Sequence, residues 1–206
     1  MLCPRQQNHR EQIVHSYKNG DWRNILSLLN VDHGECTSCF RHLLWVQPTE
    51  EDLLFIGKTM KDENIPLIVS VGCGTGLLEW LITNATGLAV IGVEVDRAWW
   101  ESPYAPPTFI PLRFVKDDDE LTKLPKEHAL LFCYFNNNMA FYDYLKVYEG
   151  GWLIIIGPTI GSGRHSKPAP FDKDFQDVGW KLQTFKEIGH TKDYIAIYKR
   201  SGITVL

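Results

Sequence analysis

The sequence predicts an α/β fold: a parallel sheet with helices on both faces, closed by a C-terminal antiparallel hairpin and preceded by N-terminal helices. Three observations predict it. From Pro66 onward, apolar runs of strand length alternate with helical segments. The runs are near-continuously apolar, as strands buried on both faces require. The last two are joined only by residues 188–193, a link too short for a parallel crossover and suited to a hairpin.

The elements follow in chain order. Between Arg10 and Leu29, the residues Ile13, Val14, Tyr17, Trp22, Ile25, Leu28 and Leu29 recur at three- and four-residue steps, interrupted by Gly20. This spacing predicts two short amphipathic helices, with Asp21 capping the second, in an N-terminal helical extension over residues 1–48 that packs on the core. The remaining domain spans 49–206. Thr49 is placed to cap a helix whose first turn carries Glu50, Glu51 and Asp52, acids suited to the positive end of the helix dipole. That helix runs to about Asp62. Predicted strands then cover 67–71, 89–94, 108–115, 129–135 and 151–157, with the hairpin at 180–187 and 194–199. The stretch 158–170, rich in Gly, Ser and Pro, is the most loop-like.

Composition bounds the function. A chain of 206 residues with 44% hydrophobic residues supports one substantial core. A net charge of -4 gives no broad positive field, so global charge does not indicate nucleic acid, although it leaves a local basic patch open. The N-terminus is polar with no apolar core behind it, and no apolar run approaches the roughly 20 residues that span a bilayer. We therefore expect an intracellular, cytoplasmic protein without a membrane partner, with a nuclear location left open. The cysteines Cys3, Cys36, Cys39, Cys73 and Cys133 are odd in number and are expected to be reduced thiols.

The strongest motif is a strand, a glycine-rich turn and a helix: Ile68-Val69-Ser70-Val71-Gly72-Cys73-Gly74-Thr75-Gly76-Leu77-Leu78-Glu79. Glycines let backbone turn sharply and approach a ligand, while the helix start offers free N–H groups. A dinucleotide fingerprint, G-x-G-x-x-G, would have its third glycine one residue later, where Leu77 stands. At the end of the second strand is Glu94, whose carboxylate can accept from both hydroxyls of a ribose; Asp96 is the reserve candidate.

The run Val71-Gly72-Cys73-Gly74-Thr75-Gly76 resembles the first motif of the class I, Rossmann-like, seven-stranded S-adenosylmethionine-dependent methyltransferases. The resemblance implies S-adenosylmethionine as cofactor, with the backbone of Gly72, Cys73, Gly74 and Gly76 beneath its methionine part. It also implies Glu94 on the ribose, Val95 beside it, and one of Asp117 or Asp118 on the adenine amino group. Gly150-Gly151-Trp152 and the apolar residues after it are similar to the family's fifth strand. The likeness covers residues 67–157 well and the hairpin more loosely.

Two positions depart from the family pattern. Members commonly carry an acidic residue two positions before the first glycine, where it helps hold the methionine end; Ser70 stands there. Amino- and base-methylating members place Asp or Asn before Pro-Pro and an aromatic after the fourth strand, whereas Phe135-Asn136-Asn137-Asn138-Met139 has no proline, so adenine or glutamine N-methylation is not supported.

Methyl transfer depends on alignment more than on acid–base chemistry. The expected catalytic candidates are Asn136 and Tyr134 at the end of the fourth strand and His165, a base for an oxygen acceptor, beside Arg164. Trp99 and Trp100, with Pro103, Tyr104, Pro106 and Pro107, suit either core packing or a wall near the adenine. His33, Cys36, Cys39 and His42 offer metal-ligand chemistry, but on a continuous helix the outer two lie about 13 Å apart, so no metal is expected. The expected function is methyl transfer from S-adenosylmethionine to an unidentified acceptor: a small molecule, protein or RNA. The alternative is a catalytically silent module of the same fold that binds the cofactor or a partner.

Overall fold

A computed structural model describes residues 4–30, 43–115, 124–176, 179–189 and 191–201. Helices α1 (Pro4–Lys18) and α2 (Trp22–Leu29) open the chain, and the Asp21 side chain accepts from the Asn24 N–H to cap α2, as its position predicts. Helix α3 (Glu50–Asp62) begins at a reciprocal capping box in which Thr49 and Asp52 satisfy each other's backbone N–H.

The strands are β1 (Leu67–Val71), β2 (Ala89–Glu94), β3 (Leu112–Phe114), β4 (Ala129–Cys133), β5 (Trp152–Pro158), β6 (Trp180–Ile188) and β7 (Asp193–Arg200). They form one seven-stranded sheet in the order β3-β2-β1-β4-β5-β7-β6. The first five pair in parallel, and the hairpin closes the sheet with β7, not β6, antiparallel to β5. Helices α4 (Leu77–Thr86), α5 (Arg97–Trp100), α6 (Asn138–Val147) and α7 (Lys173–Gln176) occupy the connections. This is the predicted Rossmann-like α/β architecture.

Alternate residues of each central strand feed opposite faces, the period-two signature of a sheet covered on both sides. Ile68, Leu131, Ile154 and Ile197 join one cluster with Ile13, Ile25, Leu53, Ile56 and Leu81 from α1 to α4. Val69, Leu130, Leu153 and Tyr198 join the other with Phe141 of α6. Tyr17 of α1 sets its ring edge-on to Trp80 at 5.1 Å and to Phe109 at 5.0 Å.

Two strands are shorter than the apolar pattern predicts. Pairing starts at Leu112 rather than Thr108, because Pro106, Pro107 and Pro111 have no N–H to give to a ladder. Strand β4 stops at Cys133 because Tyr134 takes a left-handed backbone, φ 50°. A non-glycine residue in this region costs about 1–2 kcal/mol and is held there by its surroundings.

A long-range tie joins the start of α3 to the far edge of the sheet. Fully buried Asp52 accepts from Thr49 N and Oγ1, both at 2.8 Å, and from Lys186 Nζ of β6 at 2.5 Å. Breaking a buried pair strands a charge and costs more than an exposed pair contributes. Lys186→Met, which leaves the buried Asp52 carboxylate without its cation, should therefore lower unfolding free energy by about 3 kcal/mol in urea titration, within the range for such pairs. A loss below about 1 kcal/mol would show that the pair behaves as an exposed one.

Candidate active site

The turn from β1 to α4 builds the site. Gly72, Gly74 and Gly76 have φ of 68°, 63° and 75°, a conformation that L side chains rarely adopt. A Cβ at Gly72 would press to 3.0 Å of the Phe135 ring, and one at Gly76 would collide with Ile110. The turn is tethered from β2 by Gly72 N to Val93 O at 2.8 Å. Gly92, which has no side chain, makes room for Cys73, whose Sγ would lie 2.6 Å from a Cβ there.

Beside this turn is a cavity of about 270 Å³ lined by Gly72, Cys73, Gly74 and Thr75, with Leu78 and Glu79 of α4. Trp100 and Pro106 form another part of its wall, and Cys133 and Tyr134 enter from the end of β4. Leu43, Leu44 and Trp45, from the segment before α3, complete it, and Thr75 Oγ1 donates to Leu43 O at 2.7 Å. The site thus lies outside the carboxyl ends of β1, β2 and β4, where open α/β sheets bind ligands.

One carboxylate, Glu79, lines the cavity, and a second, Glu94, is bonded to its wall at Gly74. Glu94 accepts from Gly74 N at 2.7 Å and also from the Trp100 side chain and Val95 N–H; burial pushes its carboxyl above the usual range, against those donors. Asp96 is engaged instead as the cap of α5, accepting from Trp99 N at 3.0 Å. Glu79, only 1% exposed, accepts from Ser70 Oγ at 2.6 Å through Oε1, while its Oε2 has no partner among the described residues. Burial pushes the Glu79 carboxyl up to about 7, with the Ser70 hydrogen bond opposing and Glu94 adding to the rise.

Tyr134 is held from below. Its hydroxyl donates to Asp193 Oδ1 at 2.6 Å and accepts from Arg164 Nη1 at 2.6 Å; Arg164 also bonds Asp193 Oδ2 at 2.7 Å and the Thr191 carbonyl. Burial and the Asp193 carboxylate raise the phenol above its ordinary range, so the ring is a fixed wall rather than a base. The exposed Trp45 ring stacks on it, centroids 5.8 Å apart. Burial likewise raises the thiols of Cys73 and Cys133, keeping both neutral.

Of the residues expected from sequence, the structure brings Gly72, Cys73, Gly74, Glu94 and Tyr134 together, with Trp100 lining the same cavity, while Gly76 belongs to the turn but packs on Ile110 and does not line the cavity. Val95 is exposed and reaches the group only through its backbone N–H. Asn136 is exposed and bridges to Lys167, and His165 lines a separate cavity of about 240 Å³ with Arg164 and Ser166; neither lines the site. Asp117, Asp118, His33, Cys36, Cys39 and His42 lie outside the described residues. Sequence reasoning missed Glu79 and residues 43–45.

Three solved structures of similar fold are magnesium protoporphyrin IX methyltransferase from Synechocystis with bound S-adenosylmethionine (16% identity, 97% of this chain and 99% of that one, TM-score 0.49), human N-acetylserotonin methyltransferase with S-adenosylmethionine (14%, 93% and 67%, 0.45), and precorrin-6y C5,15-methyltransferase from Geobacter metallireducens (14%, 77% and 91%, 0.46). No protein-family model and no curated protein matches the sequence. Among the described residues, no helix is long and apolar enough to cross a membrane.

The raised Glu79 carboxyl has a consequence for stability. A group whose folded pKa exceeds its ordinary value of 4.5 stabilises the fold fully below that value, and the contribution is lost as pH rises through about 7. The stability gap between Glu79→Gln and wild type, with no ligand added, should therefore widen in favour of the variant by about 3 kcal/mol from pH 4.5 to 8. Denaturant titrations at several pH values measure it, and a constant gap would contradict the assignment.

Proposed function

We propose that this chain binds S-adenosylmethionine in the cavity beside the glycine turn and transfers its methyl group to an acceptor. The observation that carries the reading is the conjunction of left-handed Gly72 and Gly74 on the cavity wall with Glu94, which accepts from Gly74 N: backbone stripped of side chains next to a carboxylate fixed at the end of the adjoining strand. The fit is chemical as well as steric. Glu94 offers carboxylate acceptors suited to vicinal hydroxyls, Trp100 and Pro106 offer a flat apolar wall suited to a purine, and the turn admits backbone approach.

The cofactor supplies a methyl group on a sulfonium, already a good leaving group, so the protein's contribution is to bind, orient and exclude water. Glu94 and the turn hold the nucleoside. Tyr134, locked by Asp193 and Arg164 and covered by Trp45, is a rigid aromatic border where the acceptor side of the cavity meets solvent. Neutral Cys73 and Cys133 do not compete as nucleophiles. Asn136, just beyond this border at the end of β4, remains our candidate for acceptor alignment. The acceptor itself is a small molecule, protein or RNA.

Thermal denaturation with added nucleotides tests the reading. S-adenosylhomocysteine or S-adenosylmethionine at 100 times its dissociation constant should stabilise the fold by about 2.7 kcal/mol, while NAD and NADP do not. Glu94→Ala should weaken that binding by about 1.5–3 kcal/mol, and Asp96→Ala, which uncaps only α5, much less. Stabilisation by NAD alone would replace the cofactor assignment.

A further inference from the structure

The cavity holds a second carboxylate that ribose recognition does not use. Glu79 is 1% exposed, its Oε1 accepts a short bond from Ser70, and its Oε2 has no partner among the described residues although the residue lines the cavity. A buried carboxylate oxygen left unpaired costs free energy, and the groups around it do not relieve that cost. Facing it are the Ser70 hydroxyl from β1, already donating, the neutral Cys73 thiol of the turn, the neutral Cys133 thiol of β4, and Glu94 from β2, which repels it. No cation is among them. What this oxygen lacks is a donor that enters with the ligand, and the donor best matched to a buried carboxylate is a cation.

The position of Glu79 narrows the choice. In the sheet order β2-β1-β4, Glu94 ends β2 and bonds the turn at Gly74, whereas Glu79 is bonded to Ser70 of β1 and is near enough to Cys133 of β4 to help raise its thiol. A ligand lying across the turn therefore meets a carboxylate at each end. One end suits vicinal hydroxyls, the other a cationic head. We propose that Glu79 is the residue that binds the α-ammonium group of the aminoacyl part of the ligand, positioned by Ser70; this rests on the cofactor assignment above. Ser70 then serves the same end by another route. An acidic side chain in place of Ser70 would set two carboxylates within one hydrogen-bond length and force one to stay protonated. Serine instead donates to Glu79 Oε1 and leaves Oε2 for a donor that the ligand brings.

Calorimetric titration with two product-like nucleosides separates this role from a structural one. S-adenosylhomocysteine carries the ammonium group, and 5'-methylthioadenosine shares the nucleoside and sulfur but lacks the amino-acid part. Glu79→Gln keeps an acceptor for Ser70 and removes the charge. It should weaken S-adenosylhomocysteine binding at pH 8 by about 10- to 100-fold, the fold-change of one charge-assisted hydrogen bond, and leave methylthioadenosine within about 2-fold. An independent readout comes from wild type alone. Because the carboxyl rests near 7 before the ligand arrives, the preference for S-adenosylhomocysteine over methylthioadenosine should grow by up to about tenfold per unit from pH 5.5 to 7 and then level off. Equal losses for both nucleosides, or a pH-independent preference, would overturn the inference while leaving the cofactor assignment standing. A wild type that binds neither nucleoside would overturn both.

Discussion

Everything at the cavity depends on the tethering of one turn. The backbone between β1 and α4 is fastened to β2 through Gly72 N, to Glu94 through Gly74 N, to the approach of β3 through Phe109 N donating to Thr75 O at 2.8 Å, and to the N-terminal segment through the Thr75 hydroxyl. Each bond reaches a different part of the chain. The turn is consequently a junction whose shape fixes where α4 begins, where Glu79 falls in its first turn, and how close residues 43–45 come to the sheet. Three left-handed glycines are what allow so many partners to converge on so short a segment.

The elements were legible in the sequence where a single local force governs them. Apolar periodicity marked β1, β2, β4, β5 and the hairpin, and the residues Asp21 and Thr49 marked helix starts through capping chemistry that needs no tertiary partner. Glu94 was legible because a strand end and a glycine turn fix its distance from the turn. Where two forces compete, pattern failed: the prolines around residues 106–111 deny β3 its donors despite an apolar run, and Tyr134 leaves the strand because Asp193 and Arg164, far along the chain, claim its hydroxyl.

Glu79 and residues 43–45 were illegible for a different reason. An acid in the first turn of a helix ordinarily caps the dipole in solvent, and nothing in the sequence distinguishes one that the helix instead lays across a buried strand. Ser70 alone reads as a missing acid; only the 2.6 Å contact shows that the two positions form one unit. Residues 43–45 sit beyond any motif, and their place at the cavity follows from the Thr75 hydroxyl donating to the Leu43 carbonyl.

The strand order also determines how the sheet ends. One edge is β3, only three residues long and preceded by a proline; the other is β6, which breaks register between Leu182 and Thr184 and carries Lys181 and Lys186. Phe185, the bulky apolar residue exposed on β6, is covered in part by the rings of Phe171 and Tyr194. Neither rim offers the long, flat, uncharged row of free backbone groups that recruits another chain by strand addition. By inserting β7 inside the sheet and leaving the kinked, lysine-bearing β6 outermost, the hairpin gives the molecule a margin of resistance to aggregation that the parallel strands alone would not have.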